Sequence, residues 1–199
     1  MRANDMRAQI LMGSAQVFME QGTAAPSVAT LLDRTGVSRA TFYAYFSSKE
    51  AVISEIYELG VSRLLARCAE AYKHAMSVER FMDACIDAHL ESAWQLPRLV
   101  YVLGGDAQRP DSALYPTRVG ALNRLTEWVQ SLAKEAPYDP LLLRAVILSL
   151  ELIVRVKLQE CDEGMSVDKD AIAHMRTVMT RLVKLTLTIP AYDASPRKE

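Results

Sequence analysis

The chain has 199 residues, half of which are hydrophobic and about a quarter of which are charged, and its formal net charge is −1. These proportions are ordinary for a soluble globular protein that buries a sizeable core. The charge balance excludes a polycation that holds nucleic acid by bulk attraction. Any such contact must depend on where a few cations and hydrogen-bond donors lie.

The three cysteines, Cys68, Cys85 and Cys161, lie far apart and form no CxxC motif. They predict small buried apolar side chains rather than a structural zinc site or a disulfide framework. The most apolar stretch, residues 141–158, is interrupted by charged side chains, which favours a buried interface helix over a membrane span. The N-terminus lacks the long apolar run of a signal peptide, and we expect a cytoplasmic protein.

Apolar residues recur at helical spacing along almost the whole chain, and no segment shows a convincing strand pattern. Gly22 ends the first predicted helix, and Pro97 separates two later ones. The glycine pair at 104–105 and residues 109–116 are expected to form an irregular loop. The helices predicted after the first cover residues 27–35, 38–45, 49–76, 78–95, 98–108, 117–136, 140–161 and 167–189.

Two of these predicted helices, at 27–35 and 38–45, are short and are joined by a tight turn. Ser27 and Ser38 can each cap a helix by accepting a hydrogen bond from its first turn. Gly36 can adopt a positive φ between the two helices at little cost. This is the arrangement of a helix-turn-helix, whose second helix fits the major groove of DNA.

The second helix of the pair begins with Arg39, Ala40 and Thr41, and its N-terminal turn is expected to point at base edges. Arg39 can donate two hydrogen bonds to a guanine, and Thr41 offers a hydroxyl and a methyl group that can meet the methyl of thymine. Ala40 is small enough to allow close approach. These three residues are the predicted sequence readers.

Three further side chains are predicted to contact the phosphate backbone. Tyr43 and Tyr45 carry hydroxyls suited to phosphate oxygens, and Lys49 supplies a positive charge beside the free backbone N–H groups of the next helix. The alternative for aromatic residues on a short amphipathic helix is a place in the core. We adopt that interpretation for Phe42 and Phe46.

The first quarter of the chain resembles the TetR family of regulators. The matching residues are 10–11, 18–22 and 27–28, the run Gly-Val-Ser-Arg-Ala-Thr-Phe-Tyr-Ala-Tyr-Phe at 36–46, and Ser-Lys-Glu at 48–50. The resemblance implies an all-α fold of about nine helices, with an N-terminal three-helix helix-turn-helix unit followed by a helical ligand-binding and dimerisation domain. We place the boundary between a DNA-binding domain 1–47 and a second domain 48–199.

By family position, residues 39–41 would face bases, the two tyrosines and the lysine would face the backbone, and Ser27 would lie near a phosphate. The sequence departs from the family pattern in two places. Many members carry an arginine where this chain has Ala29, so that base contact is expected to be absent. Arg34-Thr35 replaces the small residues that commonly precede the glycine, and we expect Arg34 to be solvated.

The resemblance also implies a ligand cavity within the helices that follow Val78. The apolar and aromatic side chains in this region suggest an apolar or aromatic ligand with few charges. Residues of these types are more often ordinary core residues than part of a cavity wall. The candidate lining residues are Met82, Trp94, Tyr101, Leu125 and Trp128.

No metal or cofactor site is predicted. Asp83 and Asp87 share a helix face, which would permit a metal, but His89 and Glu91 fall elsewhere on the helix and a solvated acidic face is the favoured interpretation. The sequence shows none of the nucleophile, base and phosphate-loop patterns of an enzyme, and the glycine pair at 104–105 is too short for a nucleotide loop.

The last two predicted helices are the best candidates for a homodimer interface, because paired half-sites on DNA need two reading heads. Each carries an apolar stripe, and two such helices from each subunit would form a four-helix bundle. The alternative is that the stripes are buried within their own subunit. The stripe residues are Leu142, Ala145, Val146, Ser149, Ile153 and Val156 in the first helix and Ile172, Met175, Val178, Met179, Leu182, Leu185 and Ile189 in the second.

Together these features predict a ligand-responsive regulator. We expect a repressor that binds a palindromic operator as a homodimer and is released by a small apolar or aromatic ligand. The alternatives are an activator, or a helical binding or scaffold protein without ligand-induced release. The intact residues 39–41 and Lys49 argue against a scaffold that has lost DNA binding.

Overall fold

The computed structural model describes residues 3–133 and 138–187 of the chain. Within these two ranges the protein is all-α, as predicted, with nine α-helices and no strand. A short 3₁₀ helix at Asp162–Gly164 precedes the last α-helix. Helices α1 to α9 span, in order, Ala3–Gln21, Val28–Thr35, Arg39–Tyr45, Lys49–His74, Val78–Gln95, Pro97–Ala107, Tyr115–Leu132, Pro140–Glu160 and Lys169–Leu187.

Two helices begin earlier than the sequence pattern indicated. Pro97 and Pro116 each lie in the first turn of a helix, α6 and α7. Proline is well tolerated there because its missing N–H has no partner within the helix and its fixed φ is already helical. The predicted starts at residues 98 and 117 left both prolines outside the helices, and both starts were therefore placed too late.

The glycine pair at 104–105 lies inside α6, in agreement with the predicted helix at 98–108, and the expectation of an irregular loop at the pair was wrong. Leu103 and Ala107 lie one turn apart on a buried face of the helix, and this packing holds the helix together across the glycines. The predicted helix ends at 136 and 189, with the stripe residue Ile189, lie outside the described residues.

A first hydrophobic cluster joins the three N-terminal helices to the start of α4 and to α6. Phe18 of α1, Leu31 of α2 and Phe42 of α3 are fully buried in it. Leu99 and Leu103 of α6 belong to the same cluster. Because the N-terminal unit shares its core with α6, the packing does not separate the chain at residue 47, and that boundary stays a prediction.

A second hydrophobic cluster lies between α5, α8 and α9, with contributions from α4 and α7. Phe81 and Met175 are among its fully buried members. Cys68 and Cys85 are buried in it as free thiols, as predicted. Cys161, which follows the end of α8, is also free but only partly buried.

The acidic residues of α5 bind α9. Asp87 pairs with Arg176 at 2.7 Å, and Asp83 accepts a hydrogen bond from the Thr180 hydroxyl at 3.3 Å. These two contacts set α9 antiparallel to α5. The acidic face is therefore engaged in packing and is not simply solvated, and no group of three or more His, Cys, Asp or Glu suited to a metal occurs among the described residues.

The outer face of α8 and α9 exposes a set of apolar side chains that differs in part from the predicted stripes. Val146, Met175 and Met179 are buried within their own subunit, as the alternative interpretation held. The exposed apolar residues on the two helices are Leu141, Leu152 and Val156 of α8 and Val178 and Leu185 of α9.

In the described ranges no helix combines the length and the apolar character that crossing a membrane would need.

Candidate nucleic-acid interface and ligand cavity

Side-chain caps and a left-handed glycine fix the path of the chain from α2 to α3. Ser27 Oγ accepts a hydrogen bond from the Thr30 backbone N–H at 3.2 Å, and the Thr30 hydroxyl accepts one from the Ser27 N–H at 3.3 Å. This reciprocal pair is a capping box. Gly36 has a φ of 68° and donates its N–H to the Leu32 carbonyl at 2.9 Å. The predicted helix-turn-helix is thus formed.

The N-terminal turn of α3 presents small and polar groups to solvent. Ser38 caps the helix by accepting a hydrogen bond from the Thr41 N–H at 3.0 Å. Arg39 and Ala40 are exposed, and Tyr43 is 47% exposed. Arg39 forms no hydrogen bond or ion pair with any residue that the structure describes. Its guanidinium is therefore available to an external acceptor.

Phe42 and Phe46 hold the other face of α3 in the first hydrophobic cluster, as predicted, with ring centroids 6.0 Å apart. The Arg7 guanidinium of α1 lies 4.9 Å from the Phe46 ring centroid and also pairs with Glu55 of α4. A cation over an aromatic face is attracted to it. Arg7 thereby joins α1, α3 and α4, a contact that no sequence spacing indicated.

Lys49 contacts the protein as well as solvent. Its Nζ donates to the carbonyls of Thr23 and Ala24 at 2.8 and 3.1 Å, so two of its three N–H groups are engaged with the loop between α1 and α2. Tyr45 is half-buried against the first hydrophobic cluster. Phosphate contact by these two residues stays a prediction, and the structure adds a supporting role for Lys49.

Arg34 lies at the exposed surface of α2, where solvation was expected. There it pairs with Glu20 of α1 at 2.5 Å. Ala29 is also exposed on α2 and carries no group that can reach a base.

A cavity of about 260 Å³ lies between α4, α5, α6, α7 and α8. Most of its wall is aliphatic, as is usual for a small-molecule site. Three of the predicted lining residues, Met82, Tyr101 and Leu125, lie in this wall. Their contact with a ligand stays a prediction.

The two tryptophans lie outside the cavity wall, which corrects the prediction for both. Trp94 is 44% exposed and follows the fully buried Ala93, because successive side chains of a helix point about 100° apart. Trp128 stacks on Tyr72 at 5.8 Å and meets Phe81 edge-on at 6.2 Å. Its ring therefore belongs to an aromatic group in the core.

The cavity wall carries charged and polar groups that were not predicted to line it. Arg118 of α7 and Glu151 of α8 form two close hydrogen bonds, at 2.5 and 2.8 Å, and are mostly buried. Burial lowers the pKa of His89, although the Glu151 carboxylate opposes this shift, so the imidazole is neutral at neutral pH. Burial and the same carboxylate raise the pKa of Tyr57 well above its ordinary value.

Arg155 is a second cation in the wall, one turn beyond Glu151 on α8. Its guanidinium lies 5.2 Å from the Tyr101 ring centroid and against the backbone of α6 at Gly105, where a methyl group would overlap it. The signal in the sequence was the charge that interrupts residues 141–158. Spacing of i and i+4 puts Glu151 and Arg155 on one face of an otherwise apolar helix.

Helix α6 contacts both the cavity and the N-terminal unit. Leu99 and Leu103 belong to the first hydrophobic cluster and also line the cavity. The Arg98 Nε donates to the Met19 carbonyl near the end of α1 at 2.9 Å, and its guanidinium pairs with Glu163 at 2.5 Å. A displacement of α6 at the cavity would therefore change its contacts with α1.

Residues 10–56 match the family model described as bacterial regulatory proteins, tetR family. The N-terminal quarter of the chain is therefore similar to TetR-family regulators. The matched segment runs from α1 to the first turns of α4. It contains all of the residues that were predicted to contact DNA bases or phosphates. TetR-family proteins and the structural neighbours described below are regulators rather than enzymes.

Two curated relatives match part of the chain. The HTH-type transcriptional activator FasR of Mycolicibacterium smegmatis is 25% identical over 88 residues, which cover 44% of this chain and 40% of FasR. The HTH-type transcriptional regulator UidR of Escherichia coli K12 is 26% identical over 111 residues, which cover 56% of this chain and 57% of UidR. The aligned region spans about half the length of these curated relatives.

Solved structures of two regulators match nearly the whole chain. The fatty acid degradation regulator FadR from Bacillus halodurans superposes with a TM-score of 0.77 at 18% identity and covers 100% of both chains. FadR from Bacillus subtilis, solved in complex with stearoyl-CoA, gives 0.72 at 18% identity over 88% of this chain and 97% of that one. At this identity the similarity establishes the fold.

Proposed function

We propose that this protein is a TetR-family transcriptional regulator that reads an operator with α3. The observation that carries the proposal is the exposed first turn of that helix, with Arg39 unengaged and Ala40 beside it. An unpaired guanidinium there can donate two hydrogen bonds to a guanine, and the small alanine lets the helix approach the groove. Tyr43, Tyr45 and Lys49 would bind phosphates and fix the register.

We further propose a homodimer that binds a palindromic operator, with half-sites about 34 Å apart along the duplex. The exposed apolar side chains of α8 and α9 support this, since the two helices pack against each other and both carry large apolar side chains that a second copy would cover. Burying Leu152 and Val156 against a second copy would remove them from water.

The cavity is proposed as the effector site. Helix α4 runs from the reading head into the cavity wall, and α6 contributes to the cores on both sides. A ligand that favours a different arrangement of these helices would change the distance between the two reading heads and shift the protein off DNA. The protein would then act in the cytoplasm as a ligand-released repressor.

The apolar wall supports a ligand with a substantial hydrocarbon part. The stearoyl-CoA bound by FadR of Bacillus subtilis makes acyl chains a reasonable class to test first. This class is narrower than the apolar or aromatic ligand with few charges that the sequence suggested, and the aromatic option is weaker because neither tryptophan lines the cavity.

The test is DNA binding by the full chain at two salt concentrations, using an operator selected from random duplexes and a scrambled duplex of equal length. Arg39→Ala should weaken operator binding by about 1–3 kcal/mol and relax one base position, while binding to the scrambled duplex changes little. Arg80→Ala removes a charge from the exposed surface of α5 and serves as the control. Unchanged sequence preference in Arg39→Ala would refute the base-reading role.

Activation is a second candidate, favoured by the match to the activator FasR. A promoter fused to a reporter, with the operator placed over or upstream of the polymerase site, separates the two. A repressor lowers expression until ligand is added, whereas an activator raises it when bound.

A further inference from the structure

We propose that the cavity binds an amphiphile with an anionic head, and that Arg155 and His89 bind this head. The inference rests on the proposed function, in which the cavity is the effector site. It adds an anionic head to the apolar or aromatic ligand with few charges that the sequence suggested, and it assigns a binding role to two residues outside the helix-turn-helix.

The first support is the location of unpaired buried polar atoms. In the described ranges, four buried side-chain atoms have no hydrogen-bond partner: Ser14 Oγ, His89 Nε2, Gln130 Oε1 and Arg155 Nη1. Two of the four, His89 Nε2 and Arg155 Nη1, belong to residues that line the cavity. Buried polar atoms are normally paired, so these two point to acceptors that a ligand would supply.

The second support is the charge of the wall. It contains three arginines, Arg63, Arg118 and Arg155, and one carboxylate, Glu151. Glu151 forms a salt bridge with Arg118, and Arg63 is exposed to solvent. Arg155 is only partly exposed and has no carboxylate partner among the described residues, so its charge is not compensated. An uncompensated cation beside apolar surface favours an anion over a neutral group.

The third support is the way in which Arg155 is held. Its guanidinium lies over the Tyr101 ring at 5.2 Å and against α6, where Gly105 leaves room for it. Arginine presents a planar fork that matches a carboxylate or phosphate with two parallel hydrogen bonds. His89, neutral and with Nε2 unpaired, can donate one more bond to an oxygen of the same head. The aliphatic remainder of the wall would contact the hydrocarbon chain.

The chemistry required is an alkyl chain joined to an anionic oxygen group. A free fatty carboxylate carries this group directly at the end of its chain, whereas an acyl-CoA ends its chain in a neutral thioester and carries its anionic phosphates beyond the pantetheine arm. The experiment therefore titrates the full chain by calorimetry with dodecanoate, dodecanol and dodecanoyl-CoA. Dodecanoate and dodecanol share the chain and differ in the head, so their affinity ratio isolates the contribution of the anion.

We expect dodecanoate to bind the wild-type protein about tenfold or more tightly than dodecanol, as a charge-assisted hydrogen bond implies. Arg155→Gln should abolish that ratio and leave dodecanol binding intact, and Arg155→Lys should restore part of it. His89→Leu should reduce it. Arg80→Gln, which removes a surface charge, should leave the ratio unchanged. If dodecanoyl-CoA binds the tightest in an Arg155-dependent manner, the anion comes from the acyl-CoA; if dodecanoate does, it comes from the free acid.

A glycine pair provides a test that leaves the charge in place. Gly105→Ala would displace the guanidinium, whereas a methyl group at Gly104 meets open space. Both substitutions place alanine in a helix, which favours folding. Gly105→Ala should therefore lower the dodecanoate to dodecanol ratio with no loss of thermal stability, and Gly104→Ala should not.

Equal binding of dodecanoate and dodecanol, or a ratio that survives Arg155→Gln, overturns the inference. DNA binding without ligand is measured on the same preparations. If the wild-type protein binds no operator, the proposed function is contradicted. The comparison of dodecanoate with dodecanol can still be interpreted in that case, because it does not depend on DNA.

Discussion

Lys49 lies where the loop between α1 and α2 meets the start of α4, and its ammonium group donates to the Thr23 and Ala24 carbonyls. The free backbone N–H groups at this helix start also favour a phosphate. One N–H of the ammonium remains for an oxygen of DNA. The same side chain can thus support the loop and contact the backbone.

Lys49→Ala should weaken binding to the operator and to the scrambled duplex by the same factor. It should reduce the slope of log affinity against log salt concentration by about one. It should also lower the free energy of unfolding by about 1 kcal/mol, because two hydrogen bonds to the loop are lost. Lys73→Ala at the other end of α4, where Lys73 pairs with Glu70, is the control. Reduced stability with unchanged DNA affinity would leave Lys49 a structural role only.

His89 predicts a pH dependence of stability. Burial holds the pKa of His89 below its ordinary value. Below about pH 6.5 the imidazole is therefore protonated in the unfolded chain while it is still neutral in the folded protein. The free energy of unfolding should therefore fall as the pH drops from about 6.5 toward the folded pKa of His89, and it should be unaffected by this group above about pH 6.5.

Urea unfolding of the wild type, His89→Leu and His174→Gln at pH 7.5 and 5.5, chosen as about one unit on either side of the ordinary imidazole pKa, measures this effect. His89→Leu should lose less stability on acidification than the wild type. His174 is exposed on α9, so its variant should follow the wild type. Equal acid sensitivity in all three proteins would exclude His89 as a source.

At the scale of the elements, the turn between α2 and α3 depends on Gly36. Its φ is 68°, and a methyl group added at its Cα would meet no atom within 4 Å, so the cost of a side chain there is conformational. Left-handed backbone costs an L-residue about 1–2 kcal/mol.

Gly36→Ala should lower the free energy of unfolding by about 1–2 kcal/mol. Gly120→Ala on the exposed side of α7, also with open space, should instead raise it by about 0.5–1 kcal/mol. Urea unfolding checks both. A neutral Gly36→Ala would mean that the turn relaxes and that the glycine is not needed there.

The helices themselves could largely be predicted, because caps, glycines and prolines act within a few residues. Ser27, Gly36 and Ser38 have the roles that their positions predicted. The glycine pair at 104–105 was wrong as a loop because long-range packing of α6 outweighs the local preference of glycine. The predicted start of α6 was one residue too late. A proline can stand either just before a helix or in its first turn, and the residue type alone does not distinguish the two positions.

At the scale of the whole molecule, the exposed apolar residues of α8 and α9 are proposed to meet a second copy. Leu152 and Val156 lie one turn apart on α8, so both fall on the same face. Loss of the dimer would leave each reading head to bind its half-site alone.

The double variant Leu152→Glu with Val156→Glu should sediment as a monomer at micromolar concentration and lose most of its operator affinity. Met12→Glu changes an even more exposed apolar residue, on α1, and this variant should remain a dimer. Sedimentation velocity distinguishes the two species. A double variant that still sediments as a dimer would place the interface elsewhere.

The helical fold and the helix-turn-helix could be predicted from the sequence, because helix periodicity, the capping serines and the turn glycine act within short stretches. The side chains that line the cavity could not. Arg118, Glu151 and Arg155 come together from α7 and α8, and His89 joins them from α5. Which side chains face a shared space depends on helix packing over long separations. Local spacing therefore placed both tryptophans in the cavity and left out its charged groups.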